Sequence, residues 1–175
     1  MQTHIGETMS ILSILIIAGL IGIGGTVILD LWAFMLQRVF KVPATNWAMV
    51  GRWVGKMRQG QFIQTNPAGA MPVKGELLLG WLVHYAIGIG YGLLLIALWG
   101  IEWVHAPSLE APLIVSLALL VLPYFVMMPG MGLGVAASRT PKPNIARFKS
   151  IVGHTVFGLG MFGAGLLLQA LYLHS

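Results

Sequence analysis

Three ionisable side chains stand where the surrounding sequence suits lipid: Asp30, His84 and His154. Imidazole changes charge near neutral pH, and a carboxylate beside it tunes that change. Asp and His inside apolar segments are therefore candidates for holding a proton or a cation. The two histidines open the same pattern, H-x-x-x-G-x-G, as His84 with Gly88 and Gly90, and His154 with Gly158 and Gly160. On a helix the first glycine lies one turn above the imidazole, and Tyr91 or Met161 follows a turn later. The bare turn either admits a neighbouring helix or leaves room for something bound. The shared pattern also raises a parallel internal repeat of two hairpins.

These groups need elements to position them. The chain has 175 residues, of which 57% are hydrophobic and 9% charged, and its mean hydropathy is +0.85. A soluble domain carries about a quarter charged residues, so this is a membrane composition. Four apolar segments, 9–39, 76–99, 112–135 and 145–173, each reach the roughly 20 residues a helix needs to cross a bilayer. Open sheets leave backbone groups unsatisfied in lipid, and no alternating barrel pattern is present. The expectation is an all-α membrane protein, a four-transmembrane-helix bundle forming one integral membrane domain over residues 1–175. The first segment is longer than a hydrocarbon core of about 30 Å requires. It must tilt, embed only in part, or kink near Gly24-Gly25. It does not read as a cleaved signal, because MQTHIGETMS has no Lys or Arg and the hydrophobic run is too long.

The net charge is +5, yet the charges are not spread as on a nucleic-acid surface. All ten Lys and Arg fall between Arg38 and Lys74 or between Arg139 and Lys149. Four spans put both groups on one side, which the positive-inside bias makes cytoplasmic, with both termini periplasmic. Arg52, Lys56, Arg139 and Lys142 are then expected at the headgroups of anionic lipids.

Within the first basic stretch, residues 46–58 form an amphipathic pattern, with Trp47, Val50, Trp53, Val54 and Met57 on one arc. A basic helix with tryptophans reads as lying in the interface plane on the cytoplasmic side. The rival reading packs it under the bundle through its small residues. Thr45 or Asn46 can cap its start, and Asn144 can cap the fourth span. A turn-rich connector follows the amphipathic helix. In the third span Pro123 and Pro129 predict kinks and an irregular end facing the other helices.

This threading delivers Asp30, His84 and His154 to one shallow layer from three helices, with Tyr91 as a further partner. Met127, Met128 and Met131 stand at a similar level. Four readings of the layer compete. It can be polar glue that fixes how the helices associate. It can be a site where Asp30 and the histidines trade a proton or hold a cation in transport. His84 and His154 can hold a b-type haem, or, with Met127 and Met131, a soft metal such as copper. It can belong to an enzyme acting on lipid, although no nucleophile–base spacing or phosphate loop supports that. The absence of cysteine excludes disulfides, thiolate metal sites and covalent haem attachment. Glu76, Glu102 and Glu110 are expected to face water, and His4, His105 and His174 to lie outside the layer. Gly88-x-x-x-Gly92 and Gly130-x-x-x-Gly134 suit close helix packing within the bundle or between copies.

Several combinations are similar to one family. Asp30-Leu-Trp after a glycine-rich first span, Gly51-Arg52-Trp53, Gly80-Trp81 with His84-Tyr85, Ala136 to Pro141, and His154 resemble the bacterial inner-membrane proteins grouped as domain-of-unknown-function family 2938. The resemblance covers nearly the whole chain. It implies a small four-span protein of the bacterial inner membrane and carries no activity or catalytic residue with it. The reading taken forward is a subunit of a small-solute or proton-linked transporter or channel, acting as an oligomer and needing no cofactor. The alternatives are an accessory protein whose polar layer only locks helices, and haem or metal binding through His84 and His154.

Overall fold

A computed structural model describes residues 10–65 and 70–173. His4, His174, the start of the first apolar segment at Met9 and the middle of the connector after the amphipathic helix lie outside them. The described residues are helical with no strand, and four helices are long and apolar enough to cross a membrane.

The first helix, α1 (Ile11–Phe40), begins where Ser10 accepts the amide of Ser13 and ends where Lys41 turns left-handed. It is 30 residues long and runs uninterrupted through Gly24-Gly25. The excess length is therefore taken up by tilt or overhang, not by a break. Leu12, Leu15, Leu20, Val27 and Leu31 line its exposed side. Ile17, Ala18, Ile21 and Gly25 are buried. An apolar outer face of this extent suits acyl chains and would be unusual in water.

Two further spans pack on α1: α3 (Glu76–Trp99) and α6 (Pro143–Leu173). Glycine makes both seams. A Cβ at Gly22 of α1 would collide with the Gly88 carbonyl of α3, and one at Gly160 of α6 would come within 2.9 Å of the Gly25 Cα of α1. The pair Gly88 and Gly92 thus serves the bundle, since a Cβ at Gly92 would collide with the Ala18 carbonyl. The two histidine motifs do not pack alike. Gly88 faces α1, whereas a Cβ at Gly158 would lie 2.6 Å from Ser116 Oγ, and one at Gly90 meets nothing within 4 Å.

The third span is broken. Helix α4 (Glu110–Ala118) loosens at Leu119 and Leu120, one turn before Pro123. Proline supplies no amide to the carbonyl four residues back, so the ladder fails there. The chain recovers through a π-turn at Pro123–Met127 and a last turn, α5 (Met128–Gly130). Residues 131–137 are no longer α-helical, and Ala136 and Ala137 take φ of 47° and 62°. The expected irregular end is there, but the span stops at Gly130 and not at residue 135. The fourth span starts earlier than expected, at Pro143. Proline's fixed φ suits the first helical position. Asn144 is consequently inside the helix and accepts from Arg147 Nη1 at 3.1 Å; it is not the cap.

The short helix α2 (Trp47–Met57) is capped by Asn46, whose side chain accepts the Met49 amide. It lies along α3, and its small residues make the contact. A Cβ at Gly51 would collide with the Glu76 carbonyl, and one at Gly80 with the Trp47 carbonyl. Val50 and Trp53 are buried in a second apolar cluster with Met131. The apolar arc of α2 is thus turned to the bundle, with Val50 and Trp53 buried and Trp47, Val54 and Met57 partly covered. Arg52, expected at headgroups, instead forms a two-pronged pair with Glu76, Nε to Oε2 and Nη2 to Oε1, both at 2.8 Å. Its Nη1 donates to the Ala70 carbonyl at 3.0 Å. Bonding to that carboxylate raises the Arg52 pKa further. Glu76 therefore does not simply face water: at the first position of α3 it accepts the Val73 amide and fixes α2 to α3.

Candidate functional site

Asp30 and His84 meet because α1 and α3 are antiparallel and pressed together at Thr26 and Gly88. Gly88 has no side chain to displace the Thr26 hydroxyl, which donates to the Gly22 carbonyl at 2.8 Å. Asp30 stands one turn further along α1, and His84 one turn back along α3. His84 Nε2 lies 2.9 Å from Asp30 Oδ1, and the Tyr85 hydroxyl donates to Oδ2 at 3.0 Å. A carboxylate only accepts, so Nε2 carries the proton in this bond. The imidazole is 8% exposed, while the Asp30 carboxylate is 22% exposed. The carboxylate is the reachable half of the pair.

Above the imidazole lies Trp47, stacked at 3.9 Å between ring centroids with 25° between planes. Trp81 leans on the same ring from 5.7 Å. The Gly51 and Gly80 contacts that seat α2 on α3 hold Trp47 there. Carboxylate on one edge and indole on one face thus fix the position of the same ring.

His154 occupies a different place. Its Nε2 lies 3.3 Å from the Tyr91 hydroxyl, and its Nδ1 lies 2.9 Å from the Ser150 carbonyl. The carbonyl fixes a proton on Nδ1, which leaves Nε2 to accept from Tyr91 in the neutral ring. Tyr91 is 5% exposed and packs edge-on against Phe157 at 5.1 Å. It stands seven residues beyond His84 on α3, about 10 Å along the helix axis.

The expected layer is thus divided. Asp30 and His84 are brought together, Tyr91 joins His154, and the two histidines are bonded to different partners. One Nε2 is directed at Asp30 and the other at Tyr91. Met127 and Met131 sit with Val50 and Trp53 in an apolar cluster, where thioethers pack as hydrophobes. Lys56 is partly covered, whereas Arg139 and Lys142 are exposed.

Two residues of the pair are not identified from sequence. Tyr85 adjoins His84 but lies about 100° round the helix, and only a carboxylate with two oxygens can reach both. Trp47 lies on the arc that an interfacial helix turns to lipid and that the rival packing turns to the bundle; the structure has the second. The signal for its real position is Gly51 and Gly80, a small residue on each of two helices.

The fold and the pair define a class: a helical membrane protein with a carboxylate–imidazole bond between its first and second spans. The chain belongs to the family described as protein of unknown function (DUF2938), whose model matches residues 19–168. The match includes Asp30, Trp47, His84, Tyr91 and His154. No curated protein and no solved structure matches the chain significantly.

Proposed function

We propose that the chain is a subunit of a proton-linked small-solute transporter of the bacterial inner membrane, with Asp30 and His84 as its proton-holding pair. In this reading the α2 end of the bundle is cytoplasmic and both termini are periplasmic, because the basic residues gather in the two loops at that end. The observation that carries the proposal is the 2.9 Å bond between a buried imidazole and a carboxylate that remains 22% exposed. A proton entering at Asp30 alters the charge His84 faces, and that change is felt where α1, α2 and α3 meet. Four spans enclose no path alone, so several copies or a partner complete it.

The test is proton flux into proteoliposomes carrying an internal pH dye. Asp30→Asn and His84→Gln are expected to cut the flux at least tenfold, while His154→Phe changes it less than twofold. Flux no greater than in empty liposomes, or an Asp30→Asn protein as active as the parent, overturns the transport reading. The second reading, a non-transporting accessory protein, is favoured by one observation: both nitrogens of His154 are already satisfied within the chain.

A further inference from the structure

A cavity of about 510 Å³ opens beside the C-terminal end of α2, lined by Lys56, Gln61, Ile63, Gln64, Thr65 and Ala70, together with Met71. Gln64 is the residue that needs explaining. Its backbone amide is tied to the Gly130 carbonyl at 2.8 Å, which pins it between α2 and the broken end of the third span. Its side chain is 6% exposed, and neither Oε1 nor Nε2 has a hydrogen-bond partner. A buried amide left unpaired at both atoms loses its bonds to water and gains none in return. Such a group asks for a partner that donates and accepts at once.

We infer that this cavity is a binding site for a hydroxylated phosphate ester, the chemistry of a glycerol phosphate headgroup. The phosphate lies against the Lys56 ammonium, which binds it as a point charge. Once the Gln64 amide, now buried behind the cavity wall, turns towards the cavity, a hydroxyl of the same headgroup donates to Oε1 and accepts from Nε2. A phosphodiester carries no P–OH at neutral pH, so the donor for Oε1 comes from a hydroxyl on the esterified alcohol. An ammonium headgroup is disfavoured beside Lys56 by like charge. Thr65 and Gln61 add hydroxyl and amide groups at the mouth. The cavity stands at the basic end of the bundle, so anionic glycerol lipid is one source and a free glycerol phosphate ester the other. The inference is independent of the Asp30–His84 reading, whose residues do not line the cavity.

Native mass spectrometry of the full chain, released from nanodiscs of mixed composition, reads lipid retention. Phosphatidylglycerol is expected to be held at least tenfold over phosphatidylcholine, and Gln64→Met and Lys56→Gln each to lose that preference. Gln64→Met should melt no lower than the parent without ligand, since the apolar replacement removes two unpaired atoms, and should gain no Tm when phosphatidylglycerol is added. Glycerol 1-phosphate in detergent separates the sources. A Tm rise matching that with phosphatidylglycerol identifies a soluble ester, and a rise with the lipid alone identifies the headgroup. Equal retention of both lipids by the parent with no Tm rise from the free ester, or undiminished phosphatidylglycerol preference in both variants, overturns the inference.

Discussion

The chain holds two histidines in the same seven-residue motif, and the structure gives them opposite surroundings. At His84 a carboxylate that is 22% exposed meets the ring edge, and an indole covers its face. At His154 a backbone carbonyl and a buried tyrosine close both nitrogens. One unit leaves its carboxylate partly exposed; the other has both ring nitrogens bonded within the chain. Motif alone therefore does not assign role, because the partner helix supplies the chemistry. Gly88 brings in α1 with its aspartate, whereas Gly158 packs on α4 beside Ser116 and Pro112.

The largest effects test the seam that makes the difference. Gly88→Leu would drive a side chain into Thr26 Oγ1 and the Gly22 carbonyl, separating α1 from α3 and parting Asp30 from His84. Overpacking of this kind costs about 1–3 kcal/mol or more. Gly90→Leu, two residues on, meets nothing within 4 Å and should leave unfolding in detergent nearly unchanged. Equal melting of the two variants would remove the seam from the account. A smaller effect distinguishes the two units directly. Asp30→Leu should cost about 1–2 kcal/mol, because it strands two donors, whereas Tyr91→Phe should cost about 0.6 kcal/mol, the average for one hydrogen bond within a membrane. The order is checked by denaturation of each variant in the same detergent, and a larger loss for Tyr91→Phe would reverse the ranking.

Much of this was legible before any coordinates. Hydropathy gave the four spans, because a bilayer tolerates few other solutions. Pro123 announced the broken third span, and Asp30 with His84 stood out as charges in apolar surroundings. What sequence could not tell was which helix each glycine admits. Gly22, Gly88, Gly158 and Gly160 look alike in a helical wheel, and only packing decides that the first two face each other. For that reason the sequence does not tell that Asp30 bonds His84 while Tyr91 bonds His154, nor which of the two packings of Trp47 holds. Arg52 shows the same gap: its charge was visible, but not the carboxylate 24 residues away that claims it.

The central claim is that Asp30 acts on His84 and not on His154. Nitrogen-15 NMR of the imidazoles in lipid bilayers tests it most directly, comparing the parent with Asp30→Asn. The account predicts that the His84 Nε2 resonance moves in the variant, while His154 keeps its Nδ1–H tautomer and its shifts. An unmoved His84, or a His154 that moves as far, would contradict it.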